Sequence, residues 1–217
     1  ASGSQIDVAL ITTNRAGTLI RLTMTQKPET DSPLLVCSKI ESTEDSSVTL
    51  DTTVPQGELY YVYAYGSLDR IYTDPAAAVK RADAQTGVVL NRAQQYVWER
   101  GNKKTKLQMN IEDVPESIRT ANWKKKELQD SLGDMGTVID LTGCTLDNVL
   151  YEVSAQRPVI AKTGENSSVV IVGYDEYNTY LYDPATGQIS PYGMNDSTAL
   201  FESAGNVFLT YIENVIE

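Results

Sequence analysis

The chain has 217 residues, 41% of them hydrophobic and 22% charged, and carries a net charge of −11. These proportions are those of a globular protein large enough to bury a core, and the acidic balance argues against nucleic acid or an anionic membrane surface as a partner. No run of about 18 apolar residues occurs, so the sequence predicts no membrane span.

Residues 1–56 are predicted to form a β-rich N-terminal region. Short runs rich in β-branched and apolar residues, at 6–13 and 18–25 among others, are separated by polar turn sequences. Residues 54–57, Val-Pro-Gln-Gly, have the composition of a joint between units. The second predicted domain therefore covers 57–217.

The second domain begins with a predicted ββαββ segment at 57–101. Asp74 and Pro75 have the residue types favoured at the N-cap and first position of a helix, and Gly87 is the expected C-cap. Residues 102–136 are polar and contain two lysine clusters, which are read either as solvated surface or as a patch for an acidic partner.

From residue 141 onward the predicted order is α, β, β, β, β, α, β. The run 169–172, Val-Val-Ile-Val, lacks polar alternation, which is typical of a central strand buried on both faces. Val170 and Ile171 are therefore expected in the core. The next strand, Asn178 to Asp183, alternates as an antiparallel neighbour should.

Three segments of this C-terminal part carry a family resemblance: "LDNVLYEVSAQRPVIAKTG", "SSVVIVGYDEYNTYLYDPATGQ" and "ALFESAGNVFLTYIE". They resemble the papain-like cysteine peptidase domain of the bacterial C39-like group, over roughly the C-terminal third of the chain. In that family, a helix and a Pro-Val-Ile strand precede a His-Ala-Val-Val-Ile-x-Gly-Tyr motif and a strand that ends in Asp-Pro. The resemblance implies an α+β fold: a papain-like antiparallel sheet with flanking helices, here preceded by the β-rich N-terminal region.

The resemblance also implies where a peptidase site would lie. Ser167 stands where the family has its histidine, and Asp183 stands at the acid that orients the histidine. Gln94 and Gln95 lie in the region of the oxyanion glutamine, but no cysteine follows them at the family spacing. These four residues are therefore degenerate site positions, and no catalytic residue is assigned.

The composition excludes thiol–imidazole chemistry within these 217 residues, because they contain no histidine. A serine hydroxyl has no basic form near neutral pH, whereas imidazole titrates near 6.5. Ser167 therefore cannot replace the base that activates a cysteine. The two cysteines, Cys37 and Cys144, are read either as a disulfide or as two separate buried thiols.

Other chemistries have weaker sequence support. Ser167 or Ser168 with Lys162 would be a serine–lysine pair, but no hydrolase motif surrounds them. A carboxylate pair would join Asp183 to the acidic turn at 175–176, and the same turn with Asn178 is a conceivable weak calcium site. No metal site or cofactor is predicted. Asp183 also has a structural interpretation, since an aspartate before proline can cap a turn through its side chain.

The sequence thus favours a catalytically inactive C39-like domain that binds a peptide or a cell-envelope component. The alternatives are a hydrolase that uses non-papain residues and a purely structural domain. The acidic, tyrosine-rich composition is typical of secreted or envelope proteins of bacteria, which is the expected location. The oligomeric state is left open.

One geometric expectation tests the resemblance. Regular pairing of the two strands of the hairpin would put Asp183 opposite Ile171, so a bend or bulge is needed to bring it near Ser167. We therefore predict an irregular hairpin in which Ser167 and Asp183 line one cleft without touching each other.

Overall fold

The computed structural model describes residues 5–8, 22–25, 35–37, 58–101 and 103–215. It divides into two compact units, residues 1–97 and 98–217. The ββαββ segment is therefore grouped mainly with the N-terminal unit, whereas the sequence assigned it to the second domain. The predicted boundary at 56–57 falls on residues outside those described and stays a prediction.

In its described residues, the first unit contains a seven-stranded sheet and one helix. Its strands are ordered β1-β2-β3-β5-β4-β6-β7. The elements are β1 (Gln5–Val8), β2 (Leu22–Thr25), β3 (Leu35–Cys37), β4 (Tyr60–Ala64), β5 (Ser67–Tyr72), α1 (Pro75–Gln85), β6 (Val88–Leu90) and β7 (Tyr96–Glu99), where the chain passes into the second unit. The predicted ββαββ order is confirmed, and the described part of 1–56 consists of strands.

Helix α1 shows how the local sequence sets the ends of an element. Asp74 caps its N-terminus by accepting a hydrogen bond from the amide of Ala76 at 3.0 Å, as its residue type predicts. The predicted C-cap was wrong by one residue, because Thr86 takes the left-handed conformation (φ 54°). Gly87 serves close packing instead, since a Cβ there would lie 2.4 Å from the carbonyl oxygen of Tyr63.

The second unit combines helices with a sheet whose strands pair antiparallel in the described residues. Its sheet is ordered β13-β12-β11-β10-β14-β9, with β8 added beside β11. The strands are β8 (Leu107–Gln108), β9 (Gly136–Asp140), β10 (Val159–Lys162), β11 (Ser168–Tyr174), β12 (Asn178–Asp183), β13 (Gln188–Gly193) and β14 (Phe208–Glu213). The helices are α2 (Glu116–Arg119), α3 (Lys125–Leu132), α4 (Leu146–Ser154) and α5 (Met194–Ser203).

The predicted α+β class, an antiparallel sheet with flanking helices, is confirmed. The order predicted from residue 141 matches α4, β10, β11, β12, β13, α5 and β14. Helix α5 begins at Met194 after Gly193, and no side chain caps it. The polar region 102–136 contains β8, α2, α3 and the first residue of β9, and the sequence did not predict β8 or α2.

The core of the second unit forms where α4 and the central strands meet. The apolar side chains of α4 are buried, and Thr145 forms a capping box with Asn148 at its start. Val170 and Ile171 have no exposed surface, which confirms the central position of β11. In the part of the chain that is described, no helix combines the length and the apolar character needed to cross a membrane.

Candidate functional site

The hairpin of β11 and β12 is irregular at one position. Near the turn, Tyr174 pairs with Thr179 and Gly173 pairs with Tyr180. The strand register shifts by one residue at Val172, which forms a bulge, so that Ile171 pairs with Leu181. Val170 pairs with Tyr182, and continuing this register by one residue would place Asp183 beside Val169. Regular continuation from Gly173 would have placed Asp183 beside Val170, one residue from the Ile171 that the sequence predicted. The bulge thus moves Asp183 one residue toward Ser167.

Ser167 and Asp183 line one open cleft of about 630 Å³, which we call the Asp183 cleft. Its other walls come from the connection between α2 and α3, the first turns of α3 and the loops that flank the hairpin strands. The remaining lining residues are Thr120, Ala121, Asn122, Trp123, Lys124, Glu127, Ser131, Asn166, Ser168, Pro184 and Ala185. The predicted co-location of Ser167 and Asp183 and the predicted irregular hairpin are confirmed.

Both residues make local hydrogen bonds within their own loops. The Ser167 hydroxyl oxygen accepts a bond from the Thr163 hydroxyl at 2.9 Å. One carboxylate oxygen of Asp183 accepts from the amide of Ala185 at 2.8 Å, and its carbonyl accepts from Gly187 at 2.8 Å. The structural interpretation of Asp183 as a turn cap is therefore right, although the same residue also lines the cleft.

Gln94 and Gln95 lie in the first unit, in the turn between β6 and β7. Gln94 is exposed and has a left-handed backbone (φ 59°). The side-chain oxygen of Gln95 accepts a bond from the Asn91 amide at 2.8 Å, so it helps to close this turn. Both glutamines form part of the turn between β6 and β7. Their assignment as degenerate site positions stays a prediction.

The α2–α3 connection is held against β11 by a side chain of the strand. The Ser168 hydroxyl donates to the carbonyl of Ala121 at 2.5 Å, and Ala121 itself is left-handed (φ 53°). Next to it, Trp123 is half-buried, with the Lys162 ammonium 5.8 Å from its ring centroid. These contacts fix the indole at the wall of the cleft.

The charged groups of this wall are bonded to each other. Glu127 accepts from the Asn122 side-chain amide at 2.9 Å and from the Lys124 ammonium at 3.1 Å. These two hydrogen bonds, that from Asn122 first, hold the pKa of Glu127 below its ordinary value. Glu127 is therefore a carboxylate near neutral pH and cannot serve as the protonated acid that glycoside hydrolysis requires.

The serine–lysine alternative finds no support in these contacts. Lys162 and Ser168 are paired across β10 and β11. Even so, Ser168 donates its hydroxyl to a backbone carbonyl, and the Lys162 ammonium lies over the ring of Trp123. Ser167 is bonded to Thr163. Neither serine has the lysine partner that would remove its proton.

The carboxylate pair proposed with Asp183 is also not formed. Asp175 and Glu176 line a different cleft at the opposite end of β11. Asp175 closes the hairpin turn by accepting from the amides of Tyr177 and Asn178, both at 2.8 Å, and from the Tyr180 hydroxyl at 2.7 Å. The Tyr180 bond and then the Tyr177 amide lower the pKa of Asp175. The carboxylate of Asp175 therefore stabilises the hairpin turn.

That second cleft, of about 390 Å³, is named the Lys103 cleft. Lys103 forms an ion pair with Asp147, and its ammonium lies 5.8 Å and 5.9 Å from the ring centroids of Tyr151 and Tyr174. Its lining residues are Lys103, Lys104, Thr105, Leu146, Asp147, Leu150, Tyr174, Asp175, Glu176, Met194 and Thr198. Lys103 therefore belongs to a bonded cluster rather than to a freely solvated run.

Cysteine and metal chemistry can be judged for the described residues. Cys144 is fully buried in the loop before α4, and the choice between a disulfide and two separate thiols stays a prediction. The side chain of Cys37 lies outside the description. Over 58–101 and 103–215, no group of three or more histidine, cysteine, aspartate or glutamate side chains is arranged to hold a metal ion. The turn at Asp175 lies within these residues, so it does not form such a group.

Sequence reasoning missed the α2–α3 wall of the Asp183 cleft. Trp123 stands among asparagine and lysine in a segment without clear periodicity, so its position in a wall was not evident. One signal was present: a tryptophan in a strongly polar segment is usually held by tertiary contacts. The lysines that follow, Lys125 and Lys126, are exposed, which agrees with a solvated helix face.

Comparison with known proteins gives one structural likeness. No protein-family model matches the chain, and no curated protein matches it. The crystal structure of a candidate C39-like peptidase from Bacillus anthracis is similar over 42% of this chain and 58% of that chain, with 16% identity and a TM-score of 0.36. The match thus spans less than two thirds of the Bacillus protein, and at this TM-score it carries no argument about the site.

Proposed function

We propose that this chain is a non-catalytic domain of the C39-like type, which binds a peptide or a cell-envelope component in the Asp183 cleft. The observation that carries the proposal is the cleft itself: Ser167 and Asp183, the positions of the family histidine and acid, line one open cavity of about 630 Å³. This volume is in the range of about 300–1,000 Å³ that is usual for ligand sites. An extracellular or envelope location in a bacterium is part of the proposal and is supported by composition alone.

The absence of peptidase chemistry is supported by what lines the cleft. Its side chains offer hydroxyls, amides, an indole, one ammonium and two carboxylates, but no thiol and no imidazole. Cys144 is buried in the loop before α4 and is not among the lining residues. A covalent thiol route needs both a nucleophile and its base at one place.

A ligand-binding role is favoured over a purely structural one because the cleft is maintained by specific contacts. Ser168 ties the α2–α3 connection to β11, and the Lys162 ammonium holds the indole of Trp123 at the wall. Ser167 and Asp183 line an open cavity of about 630 Å³. A domain with only a structural task would gain stability by closing this space.

Two tryptophans make the binding test specific. Trp123 lines the cleft, whereas Trp98 is fully buried and donates its indole N–H to the carbonyl of Asn148 at 2.9 Å. In a ¹H–¹⁵N spectrum each indole gives a separate signal. We expect soluble peptidoglycan fragments or a mixed peptide library to shift the Trp123 signal and leave that of Trp98 in place.

The outcome that contradicts the proposal is equally clear. If neither the fragments nor the peptides move the Trp123 signal at millimolar concentration, the cleft is not a ligand site of this kind. Mass spectrometry of the peptide library after incubation tests the non-catalytic part. Cleavage that a thiol-alkylating reagent abolishes would show that the chain is an active cysteine peptidase.

A further inference from the structure

The Asp183 cleft is lined by one aromatic side chain and by no large aliphatic side chain. Peptide-binding clefts take apolar side chains into apolar pockets, and those pockets supply most of the affinity. Here the carbon surface comes from Trp123 and from three small side chains, Ala121, Pro184 and Ala185. No leucine, isoleucine, valine, methionine or phenylalanine is among the lining residues. One flat aromatic ring surrounded by polar groups is the main feature of the wall.

Several polar groups of the cleft are not used by the protein. In the part of the chain that is described, the indole N–H of half-buried Trp123 and the side chains of exposed Asn166 and Ser131 have no hydrogen-bond partner in the protein. Asp183 uses one carboxylate oxygen for Ala185, which leaves the second available. The unused set therefore combines a donor, an amide that donates and accepts, a hydroxyl and an anionic acceptor.

The charge of the cleft favours a neutral partner. Lys124 and Glu127 are paired, and the charge of Asp183 is offset by the Lys162 ammonium that lies against the indole of Trp123, so the charges at the cleft sum to about zero. The chain as a whole is acidic, with a net charge of −11. A ligand with a free carboxylate or phosphate would be repelled by this field.

We infer that the Asp183 cleft binds a neutral saccharide, with one sugar ring against the indole of Trp123 and sugar hydroxyls bonded to Asp183 and Asn166. This inference rests on the proposed function and narrows its ligand class. A pyranose ring presents a face of C–H groups that suits an indole, and its hydroxyls both donate and accept. Such a ligand matches an aromatic ring bordered by carboxylate and amide groups, and it needs no apolar pocket.

The test compares neutral sugars with neutral peptides on the same reporter. The N-acetylglucosamine trisaccharide, cellotriose, maltotriose and xylotriose are titrated into ¹⁵N-labelled protein, and capped trialanine and a capped Gly-Ser-Gly peptide serve as the second arm. We expect at least one saccharide to shift the Trp123 indole signal, with Trp98 unchanged, and neither peptide to do so.

Two substitutions locate the contacts. Asp183→Asn keeps an oxygen for the Ala185 amide but removes the charge, and it should weaken saccharide binding about tenfold, as loss of a charge-assisted hydrogen bond does. Trp123→Phe removes the indole N–H and reduces the ring surface, and calorimetry should show a loss of similar size. Asp113→Asn, at an exposed residue that does not line the cleft, is the matched control and should bind as the parent does.

The possible results separate the two levels of the proposal. A shift of Trp123 with the peptides or with the mixed peptide library, and with no saccharide, would overturn the saccharide inference and leave the binding cleft standing. A saccharide shift that survives both Asp183→Asn and Trp123→Phe would also overturn it, because the contacts would lie elsewhere. No shift with any probe would remove the binding function together with the inference.

Discussion

The two clefts of the C-terminal unit lie at opposite ends of the same strand, β11, and they differ in how their polar groups are used. At the Lys103 cleft, Lys103 pairs with Asp147, and Tyr174 is bonded to Ser154. At the Asp183 cleft, the indole N–H of Trp123 and the side-chain amide of Asn166 have no hydrogen-bond partner among the described residues. A cavity alone therefore does not mark a ligand site, and the proposal for the Asp183 cleft depends on an indole ring that lies beside a carboxylate and an unbonded amide.

The largest expected effect comes from breaking the strand that joins the clefts. Val170 has no exposed surface, so Val170→Asp would place an unpaired charge in the core. Such a change typically costs several kcal/mol, close to the whole free energy of unfolding of a domain, which is about 5–15 kcal/mol. We expect Val170→Asp to be unfolded by circular dichroism and to lose both clefts.

Gln188→Asp is the control for that prediction, because Gln188 is exposed on the edge strand β13. It should unfold in urea at nearly the same midpoint as the parent. A Val170→Asp protein that unfolds cooperatively at the parent midpoint would show that β11 is not the centre of the sheet.

A smaller effect is expected at the helix that borders the Lys103 cleft. On α4, Glu152 is fully buried and pairs with Arg157 at 2.6 Å. Burial raises the pKa of Glu152, against the opposing influence of Arg157. Arg157→Met would leave the carboxylate buried without its partner, and we expect the free energy of unfolding at neutral pH to fall by about 3–5 kcal/mol.

The sign of the pH dependence follows from the raised pKa of Glu152. The folded state binds this proton more tightly than the unfolded state, so the stabilisation from protonation is complete below the unfolded pKa of about 4.3 and is lost as the pH rises through the folded pKa. The Arg157→Met deficit in urea melts should therefore shrink toward mildly acidic pH. Adding Glu152→Gln should remove that pH dependence, and a deficit that stays constant with pH would contradict this account.

The smallest effect is expected at the ion pair of the Lys103 cleft. Asp147 is largely exposed, so Asp147→Asn should change the free energy of unfolding by less than about 1 kcal/mol and leave any ligand shift of Trp123 intact. Asp183→Asn should do the reverse, with little change in stability and a clear change in binding. A loss of binding in Asp147→Asn would mean that the two clefts are not distinguished by their hydrogen bonding.

Part of the candidate site was predictable from sequence because it is carried by local patterns. The apolar run around Val170 predicted a central buried strand, and Asp183 before proline predicted a capped turn. The α2–α3 wall was not predictable, because Trp123 reaches its place through contacts with Lys162 and through the bond from Ser168 to Ala121, which joins residues far apart in the chain.

The sequence by itself determined the order of elements from α4 to β14, the burial of β11 and the absence of any imidazole base. These follow from residue type and periodicity, which act within one element or depend on composition alone. Tertiary structure decided the bulge at Val172, the meeting of Asp183 with Ser167 in one cleft, and the assignment of Asp175 to the other. Strand register and side-chain pairing depend on which distant segments pack together, and short-range patterns do not specify those partners.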